Sequence, residues 1–194
     1  REGIKQIILS DKNISENKMP MPMLLCIGAI NTHLVKLGLR GYVSINVQTG
    51  DALDTHSFAT LIGVGATTVN PYLAFDSLYQ RHSKKLFGNF TFDECVSRYI
   101  KSVNLGLLKI MSKMGISVLS SYRGGCNFET VGLSRTIVKD YFPGMLSKIS
   151  GIGLKGIEKK IRTIHQEAFF NNSNILPIGG IYRYRKNGET HQYQ

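Results

Sequence analysis

The chain has no tryptophan, only three cysteines and only 13 acidic residues among its 194. Cys26, Cys95 and Cys126 are odd in number and far apart. They read as ordinary thiols rather than a disulfide framework, and they fit a reducing cytoplasm. None stands at metal-ligand spacing from another Cys or His. Long apolar runs are missing too. The best candidate, residues 19–30, is broken by Pro20 and Pro22 and followed by Asn31, Thr32 and His33. A membrane helix needs about 18 apolar residues, so no membrane partner is expected. The start, Arg1-Glu2-Gly3, carries no signal-peptide pattern, and the absent initiator Met suggests a fragment or processed product. His33, His56, His82, His165 and His191 are isolated and suggest no metal face. No Ser occupies a nucleophile elbow, and no Cys–His pair is readable.

The few acids stand against 24 Lys and Arg, for a formal net charge of +11. Such a balance raises the question of nucleic acid or another anionic partner. The cations do not form one stripe. Lys84-Lys85, Lys159-Lys160 and Arg183/Arg185/Lys186 are separate short clusters, with no RNA-binding aromatic signature or zinc-finger spacing. Nucleic acid is not expected as a partner. A lysine-biased background, or an acidic surface on an absent neighbour, accounts for the excess.

A strand-then-helix rhythm organises the chain. Residues 4–10 (IKQIILS) form a continuous apolar run, as in a strand buried on both faces. Residues 20–39 place Leu24, Leu25, Ile27, Ile30, Leu34 and Leu37 near helical spacing, with Gly38 and Gly41 as stops. Strands are expected at 42–47 and 66–69, and helices at 54–62, capped by Asp51 or Asp54, and at 72–83. Thr91 and Glu94 read as a capping box opening a long helix that ends at Gly115. Gly106 inside that helix costs about 1 kcal/mol relative to Ala, which suggests close packing there. Residues 116–119 read as a buried strand. Further helices are expected at 134–142 and 154–169, with a short strand at 147–150. Residues 171–177 read as a linker.

Strands separated by helices imply parallel β-α-β units in an α/β layer architecture, either an open sheet or an incomplete barrel. Working residues of such sheets sit just past the carboxyl ends of strands. The candidates there are Asp11, Gln48, Thr49, Asn70, Ser121, Tyr122 and Arg123, which could face one crevice. Plain exit of the strands into solvent explains the same polarity. Gly63-Val64-Gly65 lacks the third Gly of a dinucleotide loop and opens toward a strand. Gly151-Ile152-Gly153 precedes a helix, and reads as turn chemistry more readily than as an anion site. Arg123-Gly124-Gly125 is better placed to hold a phosphate or carboxylate, although anchorage of Arg123 to a neighbouring carboxylate explains it more readily.

Several long stretches carry a family resemblance. They are IILSD (7–11), GAINTHLVKLGLR (28–40), the 49–66 stretch ending in FATLIGVGA, VNPYLAF (69–75), NLGLLKIMSKMGIS (104–117), SYRGGCNFETVGL (121–133) and the tail YRYRKNGETHQY. In order and spacing they resemble the large subunit of glutamate synthase. The resemblance implies the later part of that protein's central domain over residues 1–170, with residues 171–194 as linker and start of the FMN-binding domain. The full-length family has an N-terminal glutaminase domain, a central α/β domain, an FMN barrel carrying an iron–sulfur cluster, and a C-terminal β-helix. It converts glutamine, 2-oxoglutarate and reductant to two glutamates, with ammonia passing through an internal tunnel. The implied partners are the glutaminase and FMN domains and the small subunit.

This sequence departs from the family where the chemistry lies. Residue 1 is Arg rather than the nucleophilic Cys, no cysteine cluster could hold iron and sulfur, and Ser57 stands where a second His is common after His56. The resemblance therefore implies no catalytic, cofactor or metal residue within this chain, and a structural role beside the ammonia path. The competing expectations are a free-standing basic binding module, and a split-enzyme subunit active only with separately encoded partners.

Overall fold

The computed structural model describes residues 3–170. The linker and tail expected at 171–194 lie outside the described residues. The first half of the chain winds strand β1 (Gln6–Ser10), helix α1 (Met23–Lys36), a 3-10 turn (Arg40–Tyr42), β2 (Ser44–Gln48), α2 (Thr55–Val64) and β3 (Thr68–Asn70). The strands form one parallel sheet in the order β1-β2-β3, with Ile7 beside Ile45 and Val47 beside Val69. Ile45 and Val47 on the central strand are buried, and pack with Ile27 and Leu34 of α1 and Phe58 and Leu61 of α2.

Both helices cover the same sheet face. Ile7, Leu9, Ile45, Val47 and Val69 all belong to the core beneath them. The other face carries Gln6, Ile8, Ser10, Ser44, Asn46, Gln48, Thr68 and Asn70, polar except for Ile8. Two cross-strand bonds tie that face together: Ser10 Oγ donates to Gln48 Oε1 at 2.7 Å and Thr68 Oγ1 to Asn46 Oδ1 at 2.8 Å. This overturns the expectation that β1 is buried on both faces, since Ile8 is 70% exposed. A continuous apolar run cannot reveal that a strand lies at a sheet edge with helices on one side only.

Helices α3 (Tyr72–Ser83) and α4 (Phe92–Lys113) follow. The Thr91–Glu94 capping box is present with both bonds formed, and Gly115 takes the left-handed conformation at φ 69° just past the helix end. The stripe of α4 packs on α2. Gly106 is a point of close approach, for a Cβ there would lie 2.5 Å from Thr55 Cγ2.

Residues 116–119 do not form a strand. The chain passes into a single helical turn, α5 (Leu119–Tyr122). Tyr122 is wholly buried, and its hydroxyl donates to Ala59 O in α2 at 3.1 Å, an anchor that an extended run would misplace. A second sheet follows: β4 (Glu129–Leu133), α6 (Arg135–Tyr141) and β5 (Leu146–Ile152), with β4 and β5 parallel, and then α7 (Leu154–Phe170). Helix α6 lies tight on α1, since a Cβ on Gly28 would come within 2.7 Å of Tyr141 O. No closed barrel forms among the described residues; the fold is an open-sheet α/β arrangement.

Candidate functional site

The seven strand-end candidates separate into two groups. Asp11, Gln48, Thr49 and Asn70 lie together at the carboxyl edge of the three-stranded sheet. Asp11 N–H donates to Gln48 O at 3.2 Å, and Thr49 N–H to Asn70 O at 3.0 Å. Asp11 is the centre of this group. Its carboxylate accepts from Thr49 Oγ1 at 2.5 Å and from the Gly50 N–H at 3.1 Å, while Thr49 Oγ1 in turn accepts from the Asp51 N–H at 3.2 Å. Thr49 is fully buried.

Two neighbours escaped the sequence reading as members of this cluster. Tyr72 opens α3 directly after Pro71, which aims its hydroxyl back at Gly50 and Asp11. Burial, reinforced by the Asp11 carboxylate, pushes its phenol up to about 12. The Lys12 ammonium sits 5.9 Å from its ring centre. Asp51 is exposed by area but crowded on its inner side. That partial burial, followed by repulsion from Asp11, raises its carboxyl above the usual range. Their signal in the sequence was proximity alone, each lying within three residues of a strand end. An open groove of about 610 Å³ runs beside the cluster, lined by Leu9, Asp11, Lys18, Met19, Met23 and Cys26. Burial raises the Cys26 thiol, and Asp11 adds to the effect.

Ser121, Tyr122 and Arg123 stand elsewhere. Helix α2 leaves the carboxyl edge after Asp54 and returns to the amino edge at Gly65, and the 121–124 segment is bonded along it. Gly124 N–H donates to Gly63 O at 2.9 Å, and Asn127 Nδ2 donates to Tyr122 O at 2.7 Å. Phe128 packs edge-on against Tyr122 and fills the space where Gly63 has no side chain. Arg40 is a charged neighbour of Arg123, and among the described residues Arg123 forms no ion pair with a carboxylate. Among the described residues the ion pairs are Lys148–Glu129 and Arg162–Glu158. Arg40 is held by three oxygens, Asn31 Oδ1 at 2.7 Å and the carbonyls of Val43 and Gly65, each at 2.6 Å. Partial burial lowers its pKa, and Arg123 adds repulsion.

Ser57, one of the departures noted above, has a local task. Its N–H and Oγ donate to Asp54 Oδ1 at 2.8 and 2.6 Å, so Asp54 rather than Asp51 caps α2. These bonds to the charged form lower the Asp54 pKa. Cys95 is buried in α4, Cys126 is exposed in the loop after α5, and Cys26 lies on α1. Among the described residues no three His, Cys, Asp or Glu side chains converge as a metal site, so these residues do not fit an iron–sulfur cluster. No helix among them is long and apolar enough to cross a membrane.

Parallel β-α-β units on an open sheet, with Asp11, Thr49, Gly50 and Asp51 bonded to one another at its carboxyl edge, define an α/β domain. Comparison with known proteins gives the family. The glutamate synthase central domain family matches residues 1–134. The chain is 50% identical over its whole length to a glutamate synthase [NADPH] large chain of Azospirillum brasilense, and 42% identical over 99% of its length to that of Bacillus subtilis. It is 39% identical over 98% of its length to a ferredoxin-dependent glutamate synthase of Pyropia yezoensis. The chain belongs to the glutamate synthase family, and it spans 13% of the length of each of these three relatives.

Proposed function

We propose that the chain is a structural segment of a glutamate synthase large chain. In the whole enzyme, which would form glutamate from glutamine and 2-oxoglutarate in the cytoplasm, it bridges the catalytic parts and helps to wall the ammonia path. FMN, the iron–sulfur cluster and the nucleophilic cysteine would come from other parts of the large chain, and the small subunit would be a further partner. Residues 1–170 would act as the central-domain segment and residues 171–194 as the passage into the FMN domain. The observation that carries this reading is the identity along the full chain, joined to a carboxyl edge whose polar atoms brace the fold. Asp11, Thr49 and Gly50 hold one another, so the Asp11 carboxylate is engaged in bracing the chain after β1 and β2.

The test is replacement. Residues 1–194 are exchanged for their counterpart in the A. brasilense large chain, and glutamine-dependent glutamate formation is measured for the exchange and for the chain alone. The exchange is expected to be active and the chain alone inactive. Glutamate formation by the chain alone would refute the structural role. An inactive exchange would refute membership in a working large chain.

A further inference from the structure

We infer that the free edge of β1 receives a β-strand from another part of a glutamate synthase large chain. The inference rests on the reading above and names the surface through which the segment is built into the enzyme.

Bond directions along β1 locate that edge. Lys5 O accepts from Ser44 N–H at 2.9 Å, and Asp11 N–H donates to Gln48 O. Successive backbone groups of a strand point to opposite sides, so Lys5, Ile7, Leu9 and Asp11 face β2. Gln6, Ile8 and Ser10 then point their N–H and C=O groups outward, where the strand order β1-β2-β3 supplies no partner among the described residues. Proteins blunt bare edges with proline, bulges or charged side chains. The sequence QIILS has none of these. The opposite edge differs, since β3 has three residues and stops at Pro71.

The surroundings suit an apolar strand. Ile8 is 70% and Ile4 61% exposed beside the edge, with Ile14 and Met21 also exposed. The 610 Å³ groove runs along the same edge, floored by Leu9, Met23 and Cys26. A strand about 4.8 Å from β1 would sit over this groove and cover them. The occupant follows from lengths: the relatives are matched over 13% of their span, so most of each large chain lies elsewhere and can supply a strand.

Amide hydrogen exchange decides the matter, read in the chain alone and in the A. brasilense large chain carrying residues 1–194. The amides of Gln6, Ile8 and Ser10 are expected to exchange freely in the chain alone, and about 100-fold more slowly in the large chain. Equal rates in an active large chain overturn the inference. Protection in an inactive large chain upholds the strand and counts instead against the functional reading; neither activity nor protection overturns both. Protection that appears in the chain alone as its concentration rises assigns the edge to a second copy, and also overturns the inference. Proline variants check the geometry. Ile8→Pro removes only an outward N–H and is expected to leave the chain alone folded while loosening the large chain; Ile7→Pro is expected to unfold both. Unfolding of the chain alone by Ile8→Pro would mean that the edge is already paired.

Discussion

Gly106→Ala should reverse its sign with the identity of one neighbour. In the interior of a free helix the change stabilises by about 1 kcal/mol, because glycine loses more backbone entropy on folding. In α4 the new methyl would meet Thr55 Cγ2 at 2.5 Å and Oγ1 at 2.6 Å. Overpacking of this kind costs about 1–3 kcal/mol, so the net effect is a loss of about 1 kcal/mol. Thr55→Ala removes both offending atoms and leaves Cβ at 3.1 Å, tight but open to a small shift of α2. In that background Gly106→Ala should stabilise by about 0.5 kcal/mol. The coupling between the two sites is then about 1.5 kcal/mol, within the range measured for residues in contact. Urea titrations followed by far-UV circular dichroism would measure all four corners of the cycle, since no tryptophan is present to report. Stabilisation by Gly106→Ala in the Thr55 background, or a coupling near zero, would refute the claim that glycine is needed here for close helix packing.

Four other outcomes are expected. Tyr122→Phe should cost about 1 kcal/mol in the same titration, because Ala59 O loses its phenol donor while keeping the bond of its own helix. Asp11→Ala should cost about 2 kcal/mol by orphaning the buried Thr49 hydroxyl and the Gly50 N–H, and proteolysis near Gly50 should quicken. The Tyr72 phenol is raised in the folded state, from 10.0 to about 12, so folding holds its proton more tightly. Its contribution is full below pH 10 and fades as pH rises from 10 toward about 12; Tyr72→Phe should flatten that limb of an alkaline unfolding curve. Thr91→Ala should lower stability by about 1 kcal/mol through loss of the α4 cap, a change that Ser at the same position should largely avoid.

The elements that were legible in the sequence are those with punctuation of their own. Helix α4 announced itself by Thr91, Glu94, a long apolar stripe and Gly115, and α3 was expected at its observed limits, 72–83. Residues 116–133 misled because short apolar runs fit strand and helix alike. There, a tertiary contact decided: burial of Tyr122 under α2 selects a helical turn, and the strand pairing falls instead on Glu129–Leu133, whose Gly132 and Glu129 hide it. The site divides along the same line. The placement of Asp11, Gln48, Thr49 and Asn70 on one edge followed from parallel winding alone. Ser121–Arg123 joined them only through the strand that does not form. No local signal placed Arg40 beside Arg123, because that approach depends on where α2 ends.

The small parallel pair β4–β5 bears on how the chain behaves in a test tube. Val131, Leu146 and Ile149 are each more than 60% exposed, and a two-stranded ribbon cannot shield its own apolar side chains. At millimolar concentration these surfaces would find one another. Light scattering should rise with protein concentration and with kosmotropic salt despite the charge of +11, and a polar replacement such as Ile149→Thr should delay it. Solubility, more than folding stability, would then set the working range for experiments on the isolated chain.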